Sequence, residues 1–243
     1  MTRKSRPGVF VRMTIPLTNW RGALGAAALA IAGAGFASPG SAQASSADVA
    51  YDRAAKAYKS FSNIDAQFEQ KTTNPILGKS ALSRGRFVQQ KPNLVSITFT
   101  DPVGDRIVGD GRYLWVFLPS STPNQVLKLP ANSESAVIVN LLGQLLDAPR
   151  QSFVISGGEA VSLEGVPTRK VMLVPRTAGS APFQRATLWI DDKDSRPVRV
   201  QIIDPQGIDR TLSMTTWTVN STLPKDMFKF SPPKGAKVVS KVP

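Results

Sequence analysis

The stretch GDRIVGDGRYLWVFLP, residues 104–119, decides the fold. Its Asp110-Gly111 pair is typical of a tight β-hairpin turn. Residues 113–118 are all apolar, although alternate side chains of a strand point to opposite faces and a hairpin strand usually exposes one face to water. The sequence therefore predicts a strand whose two faces both need a cover. One face carries Leu114, Val116 and Leu118, and the other carries Tyr113, Trp115 and Phe117.

The beginning of the chain has a different composition. Five basic residues and no acid lie within residues 1–44, which also contain the uncharged, alanine-rich run 22–37. Ala42-Gln43-Ala44 fits the small-x-small pattern of a signal cleavage site, and the apolar run is shorter than the roughly 20 residues that span a membrane. We therefore interpret 1–44 as a secretory signal peptide and 45–243 as one mature domain. An uncleaved membrane anchor is the alternative.

The chain contains no cysteine and no histidine. This excludes disulfides, a lipid-modified cysteine, Ser-His-Asp and Cys-His catalysis, and the usual zinc and haem sites. The acidic run at 191–194 lacks the ligand spacing of a calcium loop, so a solvated hairpin turn is the simpler interpretation. We expect no catalytic residue, no metal site and no cofactor.

The net charge is +13, of which residues 1–44 contribute five. A basic protein is attracted to anionic surfaces. The sequence has no dense run of lysine and arginine, and an exported chain is separated from nucleic acid, so we expect no nucleic-acid partner. A phospholipid surface or an acidic partner is one interpretation of the charge, and general solubility is the other.

Short strand candidates separated by turn residues make up much of the chain, after a predicted helix over 47–60. The predicted strands are the alternating segment Ile64, Ala66, Phe68 and the ranges 84–90, 93–100, 105–109, 112–118, 125–129, 151–156, 159–163, 168–174, 183–191, 196–204 and 209–219. This pattern is typical of a barrel or a strongly curved sheet. We expect the end of the chain after Ala236 to fray.

Residues 132–147, NSESAVIVNLLGQLLD, interrupt the strand pattern. Asn132 and Ser133 are good helix caps, and apolar residues follow at helical spacing. A helix this apolar needs a cover. It either packs on the sheet as ordinary core, or lies as a lid over the apolar concave face of a curved sheet and encloses a cavity.

Three motifs occur in order along the chain: GRFVQQKPNL at 85–94, IVGDGRYLWVFLP at 107–119 and MFKFSPPKG at 227–235. With the signal peptide, the initial helix and FSNIDAQFEQ at 61–70, they resemble the periplasmic outer-membrane lipoprotein carrier family (LolA) over about 47–240. The resemblance implies a mainly β fold with helices (α+β), an unclosed antiparallel β-barrel (half-barrel) with a helical lid over an apolar cavity.

The same resemblance implies a monomeric periplasmic carrier and not an enzyme. Such a carrier binds the acyl chains of lipoproteins that an inner-membrane ABC-type complex releases, and delivers them to an outer-membrane lipoprotein receptor. One alternative is a periplasmic lipid or glycolipid binding or sensing protein that uses the same cavity. Another is a small β-rich enzyme such as a carboxylate-dependent glycosidase, which would need paired inward acids where the predicted inward positions are apolar.

Within this resemblance, strand alternation assigns candidate site residues. The expected acyl-chain cavity residues are Val95, Ile97, Phe99, Ile107, Leu114 and Val116, and the expected lid residues are Val137, Ile138, Leu141, Leu142 and Leu145. Lys91 stands where the family often has an arginine that hydrogen-bonds backbone carbonyls of the lid, so it is the lid latch candidate, with a solvated lysine as the alternative. Because a shift of one residue exchanges the two faces of a strand, the reverse assignment also stays open.

Overall fold

The computed structural model describes residues 45–133 and 140–240, so the predicted signal peptide lies outside the described residues. Helix α1, Ser46–Ser60, is capped by Ser45, whose hydroxyl accepts a hydrogen bond from the Asp48 backbone N–H, while the Asp48 carboxylate accepts one from the Ser45 backbone N–H. This capping box satisfies two N–H groups that a helix start would otherwise leave unpaired. The helix predicted over 47–60 is confirmed.

Twelve strands of the described ranges form one sheet. They are β1 Asn63–Asn74, β2 Lys79–Gln90, β3 Leu94–Asp101, β4 Val103–Asp110, β5 Tyr113–Phe117, β6 Gln125–Pro130, β7 Phe153–Leu163, β8 Val166–Pro175, β9 Arg185–Asp191, β10 Pro197–Ile203, β11 Asp209–Val219 and β12 Lys237–Ser240. Their order is β12-β6-β5-β4-β3-β2-β1-β11-β10-β9-β8-β7. Within the described residues the end strands β12 and β7 do not pair with each other, so the sheet is an unclosed half-barrel, as predicted.

Two details of the sheet differ from the sequence prediction. The segments 151–156 and 159–163 belong to one strand, β7, which is interrupted by an irregularity between Gly157 and Glu159. The expected fraying after Ala236 is wrong, because Lys237–Ser240 pairs in parallel with β6. That partner lies far earlier in the chain, so no local pattern indicated the pairing.

Helix α2 covers Leu141–Leu146, and its N-cap is Asn140, whose side chain accepts a hydrogen bond from the Gly143 backbone N–H at 3.1 Å. Gly143 is needed at this cap because a β-carbon there would lie 2.5 Å from the Asn140 amide. The start predicted at Asn132 and Ser133 stays a prediction, because the residues that would form it, 134–139, lie outside the described residues; the described helix begins at Leu141. The predicted lid residues Val137 and Ile138 lie outside the described residues.

The core lies between the two helices and one face of the sheet, which we call the inner face. Its buried side chains are Ala47, Ala50, Tyr51, Ala54, Tyr58, Ile64, Ala66, Leu142, Leu145, Leu146, Phe153, Val171, Leu173, Phe183, Ala186, Leu188, Ile190, Val200 and Ile202. The Tyr51 hydroxyl donates to the Leu145 carbonyl at 2.8 Å and so links α1 to α2. Burial raises the pKa of Tyr51 to about 12.

The opposite, outer face of β5 is covered by the chain after β11. Phe230 packs against Trp115 and Phe117, with ring centroids 5.7 Å and 6.4 Å apart. The Trp115 indole N–H donates to the Asp110 carboxylate at 2.7 Å, and the Lys128 ammonium lies 3.8 Å from the centroid of the Tyr113 ring. The C-terminal segment therefore covers the outer face of β5, whereas the inner face borders the interior of the half-barrel.

Candidate functional site

A cavity of about 270 Å³ lies on the inner face between the sheet and the start of α2. It is lined by Ala66, Phe68, Gln70, Phe87, Ile97, Phe99, Ile107, Leu141, Leu142, Arg210, Leu212 and Met214. These residues come from β1, β2, β3, β4, α2 and β11. We call this space the apolar cavity, because its described lining has one charged side chain, that of Arg210.

The register of the antiparallel strands brings the lining residues together. Phe87 lies opposite Ile97, and Ile97 lies opposite Ile107. Residues directly opposite each other in an antiparallel pair share one face of the sheet, so these three side chains form a row across β2, β3 and β4. Three of the predicted cavity residues, Ile97, Phe99 and Ile107, thus line the same space.

The aromatic end of the apolar cavity depends on a glycine. Phe68 lies opposite Gly85 and Met214, and its ring meets that of Phe99 edge to face with centroids 5.7 Å apart. A β-carbon on residue 85 would lie 3.0 Å from the Phe68 ring and 2.5 Å from the Thr98 carbonyl oxygen. Gly85 therefore leaves the room that the Phe68 ring occupies.

Helix α2 forms part of the roof. Leu141 and Leu142 line the apolar cavity, whereas Leu145 is fully buried in the core between α1 and the sheet. The predicted lid residues are thus divided between cavity wall and core. A lid role for α2 stays a prediction.

A second cavity of about 200 Å³ lies further along the same inner face, toward the end where α2 begins. Val95 and Leu114, both predicted cavity residues, line it together with Gln89, Asn93, Leu94, Gly109, Tyr113, Ala131, Asn140 and Gln144. We call it the polar cavity. The Gln89 side chain is only 4% exposed, and its amide donates to the Tyr58 hydroxyl at 3.0 Å and to the Asn140 side chain at 2.7 Å.

Val116 and Lys91 take positions outside the apolar cavity. Val116 is half-buried opposite Ile107, on the inner face, and lines neither cavity. The Lys91 ammonium donates to the Tyr58 carbonyl at 2.6 Å and lies 4.2 Å from the Tyr58 ring centroid. Lys91 therefore binds the last turn of α1, where a helix favours a cation. Its role as a lid latch stays a prediction.

The Lys91 ammonium is partly removed from water. Burial lowers the pKa of Lys91, and the nearby Asp147 carboxylate opposes this shift. Asp147 directly follows α2, so Lys91 lies within electrostatic reach of both helix ends.

Strand β11 was missed as a cavity wall by the sequence analysis. Arg210, Leu212 and Met214 alternate along it and line the apolar cavity, and that alternation was the available signal. The Arg210 guanidinium donates to the Asp204 carboxylate at 2.9 Å. Burial opposes the shift, yet the hydrogen bonds from the backbone and from Arg210 hold the pKa of Asp204 below its ordinary value. The ion pair therefore holds the Arg210 guanidinium at the edge of the apolar cavity.

The lining of the apolar cavity suits the binding of an apolar group. Within 45–133 and 140–240, no group of three or more acidic side chains is placed to hold a metal ion. In the same ranges no helix has the length and apolar character to cross a membrane. An apolar group that enters this space would gain about 0.8 kcal/mol per buried CH₂.

Comparisons with known proteins agree with this geometry. Residues 59–231 match the family model described as Outer membrane lipoprotein carrier protein LolA. An outer-membrane lipoprotein carrier protein of Xanthomonas oryzae pv. oryzae is 28% identical over 177 residues, which cover 72% of this chain and 81% of that protein. A protein of the same description from Chromobacterium violaceum is 27% identical over 224 residues, 89% of this chain and 96% of that one.

One solved structure shows a similar fold. An uncharacterized conserved protein from Thermus thermophilus is 18% identical, with 81% of this chain and 100% of that chain covered and a TM-score of 0.52. At this identity the likeness concerns the fold alone. A similar fold therefore occurs in a chain of very different sequence.

Proposed function

Because the chain belongs to the outer-membrane lipoprotein carrier family, we propose that it is a periplasmic carrier that shields the acyl chains of lipoproteins from water. The apolar cavity is the observation that carries the proposal. Its wall consists mainly of aliphatic and aromatic side chains from five strands and α2, and such a wall matches a hydrocarbon chain. In this proposal the protein binds and releases its cargo without hydrolysing it.

The energetics of an acyl chain explain why a carrier needs such a space. Moving a chain of about 16 carbons into water costs on the order of 12 kcal/mol, at roughly 0.8 kcal/mol per CH₂. A carrier must offset a large part of this cost and still release the cargo. A roof that has to move aside reduces the net affinity, because its displacement consumes part of the binding free energy.

Helix α2 has the properties expected of a movable roof over the apolar cavity. It has six residues, and isolated helices of that length are unstable in water, so α2 depends on its contacts with the core and with the Tyr51 hydroxyl. We propose that Leu141 and Leu142 cover the empty cavity and give way to the acyl chain.

The family also suggests the partners. The cargo would arrive from an inner-membrane ABC-type complex and would leave to an outer-membrane lipoprotein receptor. A signal peptide at 1–44 would bring the chain to the periplasm. These steps rest on family membership and on the sequence of the leader.

Mass spectrometry of the protein purified from its native periplasm tests the proposal. A co-purifying triacylated polypeptide is the expected result. Free lipid or glycolipid in its place would favour a lipid carrier that uses the same cavity. Protein that is always recovered empty would contradict both functions.

A pair of neighbouring variants locates the binding site. Ile97→Asp places a charge in the apolar cavity and is expected to abolish co-purification of the cargo, because burying the carboxylate is costly. Thr98→Asp is the matched control, since Thr98 is exposed and its neighbour faces the cavity. Equal cargo on both variants would place the binding site elsewhere.

A further inference from the structure

The tip of the β1–β2 hairpin exposes two large aliphatic side chains. Ile76 is 80% exposed and Leu77 is 64% exposed. The turn itself is ordered by hydrogen bonds, because the Asn74 side chain accepts from the backbone N–H groups of Ile76 and Leu77 at 3.0 Å and 3.2 Å. We call Pro75, Ile76 and Leu77 the apolar tip. These exposed side chains therefore lie on an ordered turn between two paired strands.

The hairpin carries the apolar tip past the end of β3, while on its other side β11 accompanies β1 up to Thr73, opposite Asp209. Pairing of β2 with β3 begins at Arg84, opposite Asp101, whereas pairing of β2 with β1 continues to Lys79, opposite Asn74. The segment 79–83 therefore extends roughly 17 Å past β3, at about 3.4 Å per residue. Val103, at the β3–β4 turn of the same end of the sheet, is 83% exposed.

Two free cations flank the apolar tip. Lys71 and Lys79 are exposed, and neither forms an ion pair with any residue in the two described ranges. Arg84, further along the same hairpin, is instead neutralised by Glu69 at 2.9 Å and Asp101 at 3.3 Å. Lys71 and Lys79 are thus available to an external anion, whereas Arg210, opposite Thr72, is held by Asp204.

The apolar tip is also connected to the apolar cavity. Phe68 and Gln70 of β1 line that cavity, and the same strand runs on to the tip. Arg210, at the cavity edge, lies opposite Thr72 of this strand. A surface that met the tip would therefore lie beyond the end of the cavity marked by Gln70 and Arg210.

We infer that the apolar tip docks on an anionic phospholipid bilayer. Ile76 and Leu77 enter the apolar edge of the interface, and Lys71 and Lys79 contact the lipid phosphates. Exposed aliphatic side chains beside unpaired lysines are the combination that binds such a surface. The net charge of residues 45–243, which is +8 once the five charges of 1–44 are subtracted from +13, acts in the same direction. This docking requires no cargo, so it goes beyond the proposed carrier function and does not depend on it.

Vesicle flotation tests the inference. The chain, expressed with its own leader and recovered as the soluble periplasmic species, is mixed with vesicles of phosphatidylethanolamine and phosphatidylglycerol. Wild-type protein is expected to float with these vesicles. Ile76→Ser combined with Leu77→Ser is expected to lower the partition coefficient by at least about tenfold, because the apolar contact is lost.

A second variant separates charge from apolar contact. Lys71→Gln combined with Lys79→Gln is expected to lower partitioning by about fivefold for each lysine at low salt, with little difference at about 0.5 M salt, where exposed charges are screened. Val49→Ser is the matched control, since Val49 is 46% exposed on α1 and lies outside the hairpin. Circular dichroism of each variant confirms that the sheet is intact.

Each possible result of these experiments either supports or overturns the docking inference. Wild-type protein that stays with the solution, or a tip variant that floats as well as wild type, would overturn the inference. Loss of cargo transfer in the tip variant with unchanged flotation would assign the tip to a protein partner and would also overturn it. Cargo that still co-purifies with the tip variant would leave the proposed carrier function standing whatever the vesicles show.

Discussion

The inner face of the sheet is covered in two different ways. Over β7–β9 it lies beneath α1, and Val171, Leu173 and Leu188 are 0% exposed. Over β1–β4 it lies beneath the shorter α2, and Ile97 and Phe99 remain half-buried around the apolar cavity. The two regions share one sheet and the same alternation of side chains. The helix above each region therefore decides whether the inner face becomes core or cavity.

The sealed region, α1 on β7–β9, shows how helix and sheet come close together. One side of α1 carries the small residues Ala47, Ala50 and Ala54, which are almost fully buried. Gly158 of β7 has φ +94°, and a β-carbon there would lie 2.3 Å from the Ser46 hydroxyl oxygen. Small residues on both partners thus bring helix and strand into contact. The open region, α2 on β1–β4, has leucines on a short helix instead, and a space remains below them.

The largest expected effect concerns the packing of the two regions. Leu188→Ala should lower the free energy of unfolding by about 3 kcal/mol, because it leaves a hole among fully buried neighbours. Ile97→Ala should cost less than about 1 kcal/mol, because Ile97 already borders a cavity and little packing is lost. Urea unfolding of both variants measures the difference. Equal losses would show that the two regions are packed alike.

The next effect concerns the glycine that shapes the open region. Gly85→Ala should lower the free energy of unfolding by about 2 kcal/mol and reduce cargo binding, because its β-carbon meets a backbone carbonyl. Gly109→Ala is the control, since a β-carbon there would meet a Val95 methyl group at 2.8 Å, and a side chain can move aside. Both are compared by urea unfolding and by cargo co-purification. A larger cost at 109 would argue against this account of the cavity.

A smaller effect concerns the link between the two regions. Tyr51→Phe removes the hydrogen bond to the Leu145 carbonyl and leaves that carbonyl unpaired, at a cost of about 1 kcal/mol. We expect faster hydrogen exchange across α2, with exchange in β8 unchanged. Uniform protection in the variant would indicate that α2 is held by its leucines alone.

The smallest expected effect is on the pH dependence of stability that arises from two buried tyrosines of α1. Burial raises the pKa of Tyr51 and of Tyr58 from 10.0 to about 12. Because the folded protein keeps these protons where the unfolded chain has lost them, their contribution to stability is complete below pH 10 and declines as the pH rises toward about 12. Replacing both tyrosines by phenylalanine should make the decline shallower in urea unfolding at about pH 9 and pH 11. An unchanged slope would mean that other groups cause it.

Much of the fold could be predicted because its signals are local. The Asp110-Gly111 turn, the alternation in β1 and β3 and the helical spacing of 47–60 all lie within short windows. The cap of α2 at Asn140 was not predicted, because Asn132 and Ser133 are good caps at the start of the same apolar stretch, whose residues 134–139 lie outside those described. Part of the cavity wall was missed because β11 borders the cavity only by pairing with β1, which lies far away in the sequence.

The sequence by itself determined that β5 has two apolar faces and that residues 95, 97 and 99 share one face of their strand, since both follow from the period of a strand. Only the tertiary structure decided what covers each face. Phe230 packs on Trp115 and Phe117 on the outer face, and the aliphatic side chains of β5 face the interior of the half-barrel. The Lys91 ammonium donates to a carbonyl in the last turn of α1. Local periodicity fixes which residues share a face, whereas the partner of that face depends on chain packing between segments far apart in the sequence.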